Sequence, residues 1–224
     1  MIPCVSVENM RLSDAYTIEN LVPGLTLMHR AAMGVFRAVS WTGPVAVLAG
    51  SGNNGGDGFA LSCILKEAGY ECAVFTVSEK FSSDSAFYAK KAKQAGISVL
   101  PFAQGCLKGF AMVVDCLLGT GFQGIVRSNY RTAIEEINNS GAYVISVDIN
   151  SGMNGDTGEA ELAVISDLTV TIGFVKQGLI TENAGKHMKK LVCAHIGIQL
   201  VREEQWISPE TCPPWLDMNI ISAY

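Results

Sequence analysis

The chain has 224 residues, of which 49% are hydrophobic and 17% charged, with a formal net charge of −5. No run approaches the ~20 apolar residues that a membrane span requires, and the N-terminus lacks the basic start and apolar core of a secretory signal. The acidic balance argues against a protein built to bind nucleic-acid phosphates.

That length suits one sizeable α/β domain. Residues 1–224 read as a single unit with a C-terminal tail at 201–224. Residues 6–20 follow a helical period that puts Val7, Met10, Ala15 and Ile18 inward and Glu8, Arg11 and Asp14 outward. Pro23-Gly24 breaks the chain before a second helix over Thr26–Val39, with Leu27, Ala31, Val35 and Val39 on one stripe. These two helices form an extension ahead of the first strand. Strands are then predicted at Val45–Ala49, Cys72–Val77, Ile97–Leu100, Met112–Asp115, Tyr143–Asp148, Leu168–Ile172 and Leu191–Ala194. Helices are predicted at Gly58–Ala68, Asp84–Ala95 and Asn129–Asn139. Continuous apolar strands alternating with helices imply a mostly parallel sheet covered on both faces. Pro209, Pro213 and Pro214 predict a tail packed loosely over the surface. The seven cysteines are odd in number and form no C-x-x-C pair, which suits buried thiols in a reduced, cytoplasmic protein.

In such sheets ligands bind at the carboxyl ends of the strands, and three strand ends are rich in Gly and polar residues. After Val45–Ala49, the residues Gly50, Gly52 and Gly55 satisfy G-x-G-x-x-G, the loop that lets backbone approach a pyrophosphate at a helix N-terminus. As a dinucleotide fingerprint it is weak, because the only acidic candidate for a ribose, Glu79, sits late. The run Asn53-Asn54-Gly55-Gly56-Asp57-Gly58 is more elaborate than a turn needs, and Asp57 suits a helix cap or a ligand contact equally. The second end is Asp115 followed by Gly119-Thr120-Gly121, whose N–H groups can wrap an anion. The third is Asp148 followed by Ser151-Gly152. Two strand-end carboxylates in one apolar crevice repel unless a cation or a proton lies between them. Asn, Asp and Ser oxygens suit an alkali or alkaline-earth ion rather than zinc. Cys193 and His195 lack a second ligand pair and read as core, while His29 and His187 are isolated. Lys90, Lys91 and Lys93 read as a solvated helix face. Lys176 follows a strand and can reach a phosphate, although a solvent-exposed lysine is the simpler reading.

Together these three loops resemble the YjeF N-terminal domain family, the NAD(P)H-hydrate epimerases. The resemblance rests on Asn53–Gly58, on Asp115 through Gly119-Thr120-Gly121, and on Asp148-Ile149-Asn150-Ser151-Gly152. It is joined by Leu27-Met28-His29-Arg30-Ala31-Ala32 near the start and Gly173–Leu179 near the end. It implies a Rossmann-like three-layer α/β/α sandwich, a homodimer, and a substrate that is damaged cofactor. In that substrate, NADHX or NADPHX, water has added to C6 of the reduced nicotinamide ring. The reaction interconverts the R and S forms at C6, so that a separate S-specific NAD(P)HX dehydratase can repair both. Carried over residue by residue, potassium would touch Asn54, Asp115 and Ser151. Substrate would be held by Asn53, Asn54, Gly55, Gly56 and Asp57, by Gly119, Thr120, Gly121, Phe122, Gln123, Gly124 and Ile125, and by Asp148, which is the expected acid/base. Asn150 stands where the family has proline, which loosens the turn that places Ser151, and Ser51 stands where proline is common. Two other readings stay open: a non-catalytic nucleotide- or RNA-binding module of the same fold, disfavoured by the intact loops and negative charge, and an ordinary NAD(P)-dependent dehydrogenase.

Overall fold

In the computed structural model, which describes residues 1–224, a short strand, Ile2–Val5 (β1), opens the chain. Two helices follow, Val7–Asn20 (α1) and Gly24–Ala38 (α2). Strand and helix then alternate through Val45–Ala49 (β2), Asn53–Glu67 (α3), Cys72–Thr76 (β3), Ser83–Gln94 (α4) and Ser98–Pro101 (β4). Met112–Cys116 (β5), Ser128–Asn139 (α5), Tyr143–Val147 (β6) and Leu168–Ile172 (β7) continue the series. Val175–Lys176 (β8), Leu191–His195 (β9), Gln205–Ile207 (β10) and Leu216–Ser222 (β11) complete it.

Eight strands form one sheet in the order β4-β3-β2-β5-β6-β7-β9-β11, and every pairing in it is parallel. Every position of β2, β5 and β7 is buried, as strands covered on both faces require. The alternation of side chains separates two cores. Val45, Val47 and Ala49 face α2, α3 and α4, whereas Ala46 and Leu48 face the opposite side with Ala133, Ile134 and Ile137 of α5. Beside α5, a second sheet of order β10-β1-β8 packs over Leu191, Cys193 and Leu216. The chain runs outward from β2 to β3 and β4, then returns to β5 on the other side of β2. Because βαβ crossovers keep one hand, reversing the direction of travel moves α5 to the other face. The reversal leaves a crevice between the carboxyl ends of β2 and β5, where ligands of such sheets bind.

Three expectations are corrected. A strand, β1, precedes the two opening helices and pairs antiparallel with β10 and parallel with β8. The tail is not loose: it supplies β10 and the sheet-edge strand β11, which pairs parallel with β9. The inward face of α1 is Val7, Asn9, Met10, Ser13 and Thr17, while Ala15 and Ile18 are exposed. These buried polar side chains are satisfied by the segment after β9. Asn9 Nδ2 donates to the Arg202 carbonyl at 2.7 Å, Thr17 Oγ1 accepts from Gln199 N at 2.9 Å, and Ser13 Oγ accepts from Val201 N at 3.2 Å. Glu204 accepts from Ser6 N at 2.6 Å and Ser6 Oγ at 2.9 Å, fixing where α1 begins.

Candidate active site

A cavity of about 650 Å³ opens at the switch between β2 and β5, within the roughly 300–1,000 Å³ typical of small-molecule sites. The first Gly-rich stretch forms its floor, but not as the loop predicted. Asn53–Gly58 is already helix, the opening turns of α3, with Gly52 at the N-cap and no side chain capping it. Asp57 is therefore not a cap; it lies inside the helix and lines the cavity. The uncapped N-terminus leaves backbone N–H groups free for an anion. Two of the glycines serve packing rather than phosphate approach. A Cβ on Gly50 would lie 1.8 Å from the Leu117 carbonyl oxygen, and one on Gly55 would lie 2.2 Å from that of Gly50. The β2 and β5 loops thus touch backbone to backbone.

Asp115, at the end of β5, is fully buried and fully bonded. Its Oδ1 accepts from Ser151 Oγ at 2.5 Å and Leu117 N at 3.2 Å, and its Oδ2 from Ser146 Oγ and Ser151 N, each at 2.9 Å. Burial pushes its carboxyl up, and these four bonds pull it back. Ser151 Oγ also accepts from Leu118 N at 2.8 Å, so the β5 and β6 loops are tied together. Asn54 Nδ2 donates to the Leu118 carbonyl at 3.0 Å, while Asn54 Oδ1 is buried without any partner. Asn150 does not loosen this turn. It is fully buried, and its Nδ2 reaches the Val164 carbonyl, Ser166 Oγ and the His187 carbonyl at 2.8–3.0 Å, while its Oδ1 accepts from Thr169 Oγ1 at 2.6 Å. A polar anchor replaces the rigidity that a proline ring would bring.

Asp148 sits just past β6 with φ of 70°, a left-handed conformation that Asp tolerates better than most residues. Its Oδ1 pairs with Lys176 Nζ at 2.5 Å, and its Oδ2 faces Thr120 N at 3.4 Å. Lys176 is not the exposed residue anticipated: its side chain is 0% exposed, and it also donates to Thr171 Oγ1 at 3.0 Å and the Ile172 carbonyl at 2.7 Å. Three further carboxylates line the cavity, Asp84, Asp57 and Asp14, the last expected to point outward. Burial and the charge of Asp148 raise Asp57 and Asp14, with Asp57 held well above the ordinary carboxylate range. Lys176 opposes the shift in each.

Of the expected substrate-binding residues, Asn53, Asn54, Asp57, Gly119, Thr120, Gly121, Phe122, Gln123 and Asp148 line this one cavity. Gly55 and Gly56 lie buried behind it, and Gly124 and Ile125 are exposed outside it. Sequence reasoning missed the wall contributed by α1, namely Met10, Arg11, Asp14 and Ile18, together with Asp84 and Lys176. The spacing of Met10, Asp14 and Ile18, four apart, was the available signal for the first of these.

Residues 24–178 match the family model described as YjeF-related protein N-terminus. The chain belongs to this family. Among YjeF-related relatives, the NAD(P)H-hydrate epimerase of Limosilactobacillus fermentum is 34% identical over 198 residues, covering 85% of this chain and 95% of the relative. That of Rhodopirellula baltica is 34% identical over 210 residues, covering 89% and 86%. The bifunctional NAD(P)H-hydrate repair enzyme Nnr of Coxiella burnetii is 32% identical over 196 residues, which cover 84% of this chain and 40% of that longer protein. The fold of this YjeF-related chain is that of the yeast ynu0 crystal structure, with a TM-score of 0.74, 22% identity, and coverage of 90% and 96%.

Proposed function

We propose that this protein is an NAD(P)H-hydrate epimerase, which interconverts the R and S forms of NADHX or NADPHX at C6 of the nicotinamide ring. The observation that carries the reading is the Asp148–Lys176 ion pair at the wall of a cavity of about 650 Å³. Family membership and the epimerase names of the relatives support it. C6 of the hydrate carries both a hydroxyl and the ring nitrogen. A base that removes the hydroxyl proton therefore lets the C6–N1 bond open to an aldehyde, and closure on the other face inverts the centre. Asp148 is placed for that base. Lys176 pairs with it and fixes its orientation, and the Asp148 backbone takes the left-handed φ of 70° just past the strand end. The N-terminus of α3 and the Gly119–Gly121 backbone would receive the diphosphate.

Potassium fits the oxygen donors beside this cavity. The orphaned Oδ1 of Asn54, the Leu118 carbonyl, and Ser151 with Asp115 are hard donors linked to one another through Leu118. When bound, the ion would supply positive charge that offsets the buried Asp115. A homodimer is supported by α1, whose outer face exposes Leu12 and Tyr16 one turn apart and ends at exposed Leu21. No helix is long and apolar enough to cross a membrane. The bifunctional relative from Coxiella burnetii supports coupling to a dehydratase activity. The test mixes the protein with an R/S mixture of NADHX and an S-specific dehydratase. Complete conversion to NADH, faster than spontaneous epimerisation allows, supports the assignment; a stop once the S form is consumed counts against it. The charged residues lining the cavity, Asp14, Asp57, Asp84 and Asp148 against Arg11 alone, disfavour an RNA-binding role.

A further inference from the structure

We propose that Asp14 is a second proton-transfer residue of this cavity, serving the ring nitrogen while Asp148 serves the C6 hydroxyl. This rests on the epimerase reading and deepens it. Opening a ring at C6 moves two protons: one leaves the hydroxyl oxygen, and one must arrive on N1 as the C6–N1 electron pair settles there. The Asp148–Lys176 pair can do only the first. An ammonium has three N–H donors, and those of Lys176 are spent on Asp148, Thr171 and the Ile172 carbonyl. Asp148 enters the step as the carboxylate of that pair, and the one proton it then holds is the hydroxyl proton that closure must return to oxygen.

Asp14 meets the need on geometry. It stands between Met10 and Ile18 in the α1 stripe that walls the cavity, so the cavity's apolar side carries one carboxyl group there. The other polar residues on the inner side of α1, Asn9, Ser13 and Thr17, are all bonded to protein, whereas Asp14 forms no hydrogen bond or ion pair. It is half-buried. It also comes from a different element than Asp148, α1 rather than the β6 loop, so the two carboxyls reach the substrate from separate walls. The charged groups facing it are Arg11 on its own helix, Asp57 on α3, Asp84 on α4, and the Asp148–Lys176 pair. Burial and Asp148 favour its protonated form, and Lys176 opposes them. Asp57 lies deeper in that field, and burial with the charges of Asp148 and Asp14 pushes its carboxyl well up. Arg11 donates to the Thr120 carbonyl at 3.0 Å and forms no ion pair with Asp14.

The step balances without any co-reactant. Asp148 takes the hydroxyl proton as C6 becomes an aldehyde carbon, and the C6–N1 bond breaks. N1 takes the proton of Asp14. Rotation about the C5–C6 bond turns the other aldehyde face to N1. Closure then returns the N1 proton to Asp14 and the proton on Asp148 to the new hydroxyl.

The test uses the full chain and purified S-NADHX, with appearance of the R form read by chromatography. Asp14→Ala keeps a good helix former on a cavity wall, and melting temperature checks its fold. Loss of one acid/base group predicts a fall in kcat of roughly 10²–10⁴-fold, with KM changed less than about threefold and rate restored at least tenfold by added formate. Asp14→Asn should show the same loss and flatten the pH–rate profile on its alkaline side, where a residue that must start protonated limits the rate. Asp14→Ala within threefold of the unmodified rate, or a loss that formate does not restore, overturns the role of Asp14. An unmodified chain that leaves S-NADHX at its spontaneous rate overturns the epimerase reading instead.

Discussion

Lys176→Met removes a buried ammonium and keeps most of the side-chain volume. It removes the ion-pair partner of the Asp148 carboxylate and one hydrogen bond each from Thr171 Oγ1 and the Ile172 carbonyl, which keep their contacts to Phe174. Deleting one partner of a buried pair costs about 3–5 kcal/mol, because the other charge stays behind. Asp148 keeps 14% of its side-chain surface and a long contact to Thr120 N, so water can reach it and the lower end applies. At about 2–4 °C per kcal/mol for a chain of this size, a loss of about 3 kcal/mol lowers Tm by about 6–12 °C. Adding Asp148→Asn should recover about half of that or more, since it removes the stranded charge. Asn also tolerates the left-handed backbone at this position. Epimerisation should fall to the background rate in both singles and in the double, because one unit is disabled each time. The assay is differential scanning calorimetry at neutral pH beside the NADHX rate measurement. A Lys176→Met Tm within 2 °C of the parent, or a double variant no more stable than the single, refutes the argument that Lys176 is there to neutralise Asp148.

Other consequences are as direct. Gly50→Ala drives a Cβ to 1.8 Å from the Leu117 carbonyl oxygen and should reach or exceed the ~3 kcal/mol upper range of overpacking. Gly52→Ser, with nothing within 4 Å, should leave Tm unchanged or slightly higher as a better N-cap; similar losses in both would remove the packing argument. Burial and the charges of Asp148 and Asp14 hold Asp57 well above its ordinary range, so the folded state resists its ionisation. Asp57 therefore costs stability once pH rises past its unfolded value of about 3.9. Asp57→Asn should raise Tm at pH 8, by an amount that vanishes below about pH 4; a variant less stable at pH 8 contradicts the sign. If potassium sits at Asn54, replacing it with tetramethylammonium should lower Tm by an amount that depends on concentration. Asn54→Ala should abolish the difference, and equal Tm in both salts for the parent chain excludes the site.

What could be read from residues alone, and what could not, divides on physical lines. The interior strands β2, β5 and β7 are unbroken runs buried on both faces, and their boundaries fall within a residue of those predicted. The edge strand β11, Leu-Asp-Met-Asn-Ile-Ile-Ser, carries polar residues and follows two prolines, so nothing local marks it as sheet. Its pairing with β9 is a tertiary fact. The face of α1 was misassigned for a similar reason. Hydrophobic periodicity cannot see that Asn9, Ser13 and Thr17 find partners some 180–190 residues away. That rotation of the helix is also what turns Asp14 into the cavity. Lys176 looked solvent-exposed because its partner, Asp148, lies 28 residues earlier. The Asp115–Ser151 link was foreshadowed by two strand-end loops of like composition, but their meeting required the sheet order.

The central claim is tested most directly with one purified epimer and no second enzyme. S-NADHX incubated with the protein should approach the R/S equilibrium at a rate proportional to protein concentration, and Asp148→Asn should bring that rate back to the spontaneous value. A parent protein that leaves the rate unchanged, or an Asp148→Asn variant that retains full activity, contradicts the account.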